Sequence, residues 1–95
     1  MIAFTAPLWI WSGDGGSWHF VTVPEDESAE IRLATFGERR GFGSVRVEAR
    51  IGAVVWRTSV FPQKDGTYLL PVKADVRRRA GVVAGDFVET ELRLI

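Results

Sequence analysis

Ser44-Val45-Arg46-Val47-Glu48-Ala49-Arg50-Ile51-Gly52-Ala53-Val54-Val55-Trp56-Arg57-Thr58-Ser59-Val60-Phe61 reads as one β-hairpin. Val45, Val47, Ala49 and Ile51 alternate with Ser44, Arg46, Glu48 and Arg50, the period of a strand with one buried face. Gly52-Ala53 suits a tight turn that needs glycine at its first central position. Closing that turn pairs Ile51 with Val54, Ala49 with Trp56, Val47 with Thr58 and Val45 with Val60, all on one face. The same register sets Glu48 across from Arg57 on the other face, where opposite charges attract. Pattern and charge select the register independently.

A second hairpin lies upstream. Leu8-Trp9-Ile10-Trp11 and Trp18-His19-Phe20 flank Ser12-Gly13-Asp14-Gly15-Gly16-Ser17, and they hold three of the four tryptophans and the single histidine. Symmetric closure sets Trp11 against Trp18 and Trp9 against Phe20, with Ile10 against His19 and Leu8 against Val21 on the other side. Both faces are apolar, so the expectation is a strand pair between the barrel interior and a covering helix.

Asp65-Gly66 marks a turn into Thr67–Val72. In the last strand, from Val88 to Ile95, Val88, Thr90, Leu92 and Leu94 point one way and Glu89, Glu91 and Arg93 the other. One helix is expected from Pro24, at its first position, to about Phe36, with Glu25, Asp26 and Glu27 at the positive dipole end. Another covers roughly Lys73 to Ala80, with Arg77, Arg78 and Arg79 in the last turn and Gly81 as its left-handed cap. Strands separated by Gly- and Pro-bearing turns predict an all-β fold, a closed or nearly closed antiparallel barrel of about six strands with two short helices.

The 95 residues make one domain, residues 1–95, with enough chain for a core without staples. Twelve basic and twelve acidic side chains cancel, so no overall field draws the protein to nucleic acid or an anionic membrane. Cysteine is absent, which removes disulfides, thiolate nucleophiles and Cys-based metal sites. The apolar run Met1–Trp11 is broken by Pro7, lacks a basic leader and is shorter than the roughly 20 residues of a membrane span. A cytoplasmic location is expected.

Taken together, Trp18–Pro24, Arg39–Val45, Trp56–Pro62 and Tyr68–Lys73 resemble the bacterial domain of unknown function nineteen-hundred-and-five family, over essentially the whole chain. The resemblance implies a small β-barrel of about six strands with one or two short helices. The family carries no assigned reaction, so it transfers no catalytic residue. Glu27 departs from it, standing where the family pattern calls for an apolar side chain. Locally, residues 70–88 are similar to the swapped-hairpin unit of AbrB-type transcription factors, which bind DNA as dimers.

The most site-like segment is Gly37-Glu38-Arg39-Arg40-Gly41-Phe42-Gly43-Ser44. Its glycines let backbone N–H groups approach a ligand, and Arg39 and Arg40 with the Ser44 hydroxyl suit a carboxylate or phosphate. The plain alternative is a helix-to-strand connector with solvated arginines. His19 lacks a ligand cluster, so no metal site, cofactor or catalytic residue is expected. The tryptophans are core or cleft wall, with Trp56 assigned to the core. The leading expectation is a non-enzymatic binding module, monomeric or homodimeric. Its pocket lies between the first helix, the Gly-Arg loop and the aromatic hairpin. There Arg39, Arg40, Ser44, Trp18, His19 and Lys73 contact a small anionic or aromatic ligand or a protein partner. The alternative is a dimeric nucleic-acid binder using Arg77, Arg78 and Arg79, which overall neutrality opposes. A third is a small enzyme with His19 as general base and Arg39 and Arg40 as anion clamp.

Overall fold

The computed structural model describes residues 1–37 and 43–95. In chain order they form β1 (Ile2–Gly13), β2 (Gly16–Val23), α1 (Glu25–Ala34), β3 (Val45–Ile51), β4 (Val54–Pro62), β5 (Tyr68–Pro71), α2 (Ala74–Ala80) and β6 (Phe87–Leu94). The strands close into a barrel in the order β1-β2-β5-β4-β3-β6, every neighbouring pair antiparallel. No helix among the described residues is long and apolar enough to cross a membrane.

The β3–β4 register is the one the sequence dictates, from Ile51 opposite Val54 to Val45 opposite Val60. Gly52 takes φ 60° at the turn, a left-handed conformation that glycine adopts without a Cβ penalty. Glu48 lies 3.8 Å from Arg57 and 2.7 Å from Arg93 of β6, so it bridges three strands. Inner side chains from all six strands make the core, including Leu8, Val21, Val47, Val60, Leu70 and Leu92, each almost wholly buried. In β6 the Val88, Thr90 and Leu92 face is buried, as alternation requires. Trp56 packs against the core from its inner position opposite Ala49 but is only half-buried.

Helix α1 corrects the sequence reading at both ends. Pro24 is the residue before the helix: its ψ of 164° is extended, although its φ of −59° would suit a helix. The helix stops at Ala34, short of Phe36, because Thr35 caps it. The Thr35 N–H and hydroxyl both donate to Ile31 O, at 3.1 and 2.7 Å, closing the turn. Ser28 and Ile31 are the buried residues of α1, and Glu27 beside them is half-buried. Docking therefore uses a hydroxyl. Ser28 Oγ donates to Val23 O (2.9 Å) and accepts from Tyr68 N–H (3.1 Å), two residues that face each other at the end of the β2–β5 ladder. Helix α2 begins after Lys73 and ends on Gly81, left-handed with φ 70°.

The aromatic hairpin departs from expectation in its surroundings, not its register. Trp11 faces Trp18, Trp9 faces Phe20, Ile10 faces His19 and Leu8 faces Val21. Yet β6 pairs with β1 only from Ile2 to Pro7, and β5 pairs with β2 only from Phe20 to Val23. The tip extends past its strand neighbours and is left largely exposed. Trp11 is 51% exposed, Trp18 59% and Ile10 46%. Below the tip only the inner face is buried, at Leu8 and Val21, while Trp9 and Phe20 on the outer face are half-buried, so the expected burial on both faces is not met.

Candidate functional site

Strand β5 is four residues long and sits between two longer strands. It pairs with β4 only at Phe61 and Pro62, so the Arg57–Ser59 edge of β4 has no strand beside it on that side. Pro71 falls opposite Phe20, and the Val72 N–H donates to His19 O at 2.9 Å. Phe20–Pro71 is therefore a non-hydrogen-bonded rung, where a proline leaves no donor missing from the ladder. Beyond Val72 the chain turns into α2, which packs near β4, anchored by buried Val76.

Between the hairpin tip, β4 and α2 the barrel wall opens into a cleft of about 1000 Å³. One wall is aromatic: Trp9, Trp11, Trp18 and Phe20, with Phe61 from β4. Trp9 and Phe20 are in ring contact at 5.3 Å between centroids, tilted by 41°. Trp9 Nε1 donates to Thr22 Oγ1 at 2.9 Å, which fixes the indole plane. The Trp11 ring lies directly over Gly13, where any Cβ would collide with it. The Trp18 indole carries the largest exposed fraction among the tryptophans.

The charged part of the remaining lining is basic, beside neutral residues such as Thr58, Ser59 and Gln63. Arg46 of β3, Arg57 of β4, Lys73 ahead of α2 and Arg77 of α2 all contribute, and no Asp or Glu is among the described lining residues. Arg77 donates one N–H to Val72 O at 2.7 Å, which positions the guanidinium and leaves further donors. His19 lies at the junction of the two walls. Burial first, and the nearby Arg77 charge second, hold its pKa below the ordinary imidazole value.

The structure brings Trp18, His19 and Lys73 together in this cleft, while Ser44 does not line it. Arg39 and Arg40 lie outside the described residues. No described residue of α1 lines the cleft, and α2 takes the place the sequence reading gave to the first helix. Arg46, Arg57 and Arg77 in this setting were not foreseen. The first two read as ordinary outward positions of a strand, and alternation does not say what an outward side chain stands beside. Arg78 and Arg79 do not join Arg77, since both pair with Asp75, at 2.7 and 3.2 Å. Among the described residues no group of His, Asp and Glu could hold a metal ion.

The family model described as Domain of unknown function (DUF1905) matches residues 4–92, from β1 into β6. The chain belongs to the DUF1905 family. No curated protein matches it. The AbrB-like segment of this DUF1905 domain is local geometry: β6 returns to pair with β1 and β3 of its own chain. The family description names no ligand or reaction, so the chemistry of the cleft has to speak for the role.

Proposed function

We propose that this DUF1905 domain is a non-enzymatic binding module whose cleft takes a small ligand combining an aromatic ring with negative charge. One observation carries the reading: an aromatic wall stands beside three arginines and a lysine with no carboxylate among the described lining residues. A pocket lined by apolar and aromatic groups with a few convergent polar ones is the usual form of a small-molecule site. Guanidinium groups add directional recognition of carboxylate or phosphate oxygens. An enzymatic role for His19 has less behind it, because no hydrogen bond from the described residues orients its ring. The nucleic-acid reading through Arg77, Arg78 and Arg79 is weakened by the pairing of two of them with Asp75.

The test is a titration followed by tryptophan fluorescence, using aromatic carboxylates and aromatic phosphates, in the native protein and in Arg57→Ala. Quenching that saturates in the native chain and weakens about tenfold or more in the variant is expected, because a hydrogen bond to a charged group is lost. Silence across both ligand classes sinks the reading.

A further inference from the structure

The charge count in the cleft narrows the ligand. Arg46 and Arg57 come from two strands, Lys73 and Arg77 from α2 and the residue before it, and they meet no Asp or Glu among the described lining residues. Only Arg57 has an ion-pair partner among the described residues, Glu48 at 3.8 Å. A single carboxylate saturates one guanidinium bidentately and leaves the remaining cations repelling one another. Phosphate groups carry more charge per group, about −1.5 to −2 for a monoester at neutral pH, and offer oxygens in several directions. The aromatic wall makes the second demand. Trp11 is folded onto Gly13 and Trp9 onto Phe20, whereas Trp18, the most exposed tryptophan at 59%, lines the cleft with no ring contact among the described residues.

We infer that the ligand is a free nucleoside di- or triphosphate, its base stacked on Trp18 and its phosphates on Lys73, Arg77 and Arg57. This rests on the binding-module reading above and narrows it. A cleft of about 1000 Å³ is at the upper end of what encloses one drug-sized molecule. The surface beyond it argues for a free nucleotide over a nucleic-acid strand. Arg78 and Arg79 are paired with Asp75, Arg50 with Glu91 and Arg93 with Glu48. These four arginines therefore offer no unpaired cation beyond the cleft for a continuing backbone to follow, and strand binders depend on a basic track.

The experiment is calorimetric and fluorimetric titration of the full chain with ADP, adenosine, pyrophosphate, naphthalene-2-carboxylate and decathymidylate. ADP is expected to bind at least tenfold more tightly than either of its halves, adenosine or pyrophosphate. Trp18→Ala should weaken ADP by about fivefold to a hundredfold, the range for loss of one base–aromatic stack. Arg77→Ala and Lys73→Ala should each weaken ADP while leaving adenosine unchanged. Circular dichroism of the variants separates lost binding from lost folding. Naphthalene-2-carboxylate binding as tightly as ADP overturns the nucleotide inference and leaves the binding module standing. Decathymidylate binding more tightly than ADP overturns it in favour of a strand. Failure of all five probes overturns both readings.

Discussion

Replacing Ser28 by alanine removes a single oxygen from a fully buried position and should cost far more than its size suggests. The hydroxyl donates to Val23 O and accepts from Tyr68 N–H, at 2.9 and 3.1 Å. Val23 and Tyr68 are themselves fully buried. Water therefore cannot take over either group without opening the junction between α1 and the β2–β5 ladder. A buried group stranded without its partner costs about 1–3 kcal/mol, and two such groups are at stake. Relief of the hydroxyl's own desolvation and partial relaxation trim the total, leaving about 2–3 kcal/mol. For a domain of this size that corresponds to a fall in Tm of about 10–20 °C. Urea denaturation should show the same loss as a lower midpoint with an unchanged slope. Ser59, half-buried with no side-chain hydrogen bond among the described residues, is the control, and Ser59→Ala should stay within about 0.5 kcal/mol. If Ser28→Ala melts with the native protein, the hydroxyl is not what fastens α1 to the barrel.

Three further outcomes are expected. Leu92→Ala empties a fully buried site between Ile2 and Ala49 and should destabilise by about 2–5 kcal/mol in urea denaturation. Tyr68→Phe should leave stability unchanged or raise it by up to about 1 kcal/mol, because the Tyr68 hydroxyl is buried with no hydrogen-bond partner among the described residues. A loss above that value would reveal a partner for the phenol. Because the folded protein holds the pKa of His19 below its ordinary 6.5, the unfolded chain takes up the proton first as pH falls. The His19 contribution to stability is thus full above about pH 6.5 and declines below it, towards the folded pKa. His19→Gln should flatten the fall in urea midpoint between pH 7.5 and 5.5, and an equally steep fall in the variant would assign it to other groups.

The β3–β4 hairpin was legible because it pairs a period-two pattern with a turn that only glycine makes easily, and the β1–β2 hairpin because glycines mark its turn between two aromatic segments. Gly52 takes its positive φ at one turn, and Gly15 and Gly16 take theirs at the other. Gly81 announced the end of α2 in the same way. What lies beyond a strand's immediate neighbours left no such trace. The length of β5 decides where the barrel wall opens, yet Tyr68-Leu69-Leu70-Pro71-Val72 reads as a longer strand, and nothing in those residues says that the chain leaves the ladder after the Val72 bond to His19 O and enters α2 at Ala74. The cleft likewise draws Arg46 from β3, Arg57 from β4 and Arg77 from α2, positions whose meeting depends on tertiary order. Helix α1 was misjudged where side-chain chemistry competes with propensity: Thr35 captures the Ile31 carbonyl and ends it. Ser28 supplies the docking contact that a hydrophobic pattern would never nominate.

The pairing of β1 with β6, Ile2 against Leu92 and Pro7 against Phe87, joins segments from opposite ends of the domain. Such long-range closure is entropically slow, and barrels rich in it fold in about milliseconds to seconds. The β3–β4 hairpin is local and can form much sooner, so for a time its Val45, Val47, Ile51 and Val60 face is open to other chains. Arg46, Glu48, Arg50 and Arg57 stand on the reverse of that ribbon and place charge along its length, which discourages edge-to-edge aggregation. Two of these residues, Arg46 and Arg57, also line the cleft. Neutralising them to alter binding should therefore also lower the yield of refolding at high protein concentration.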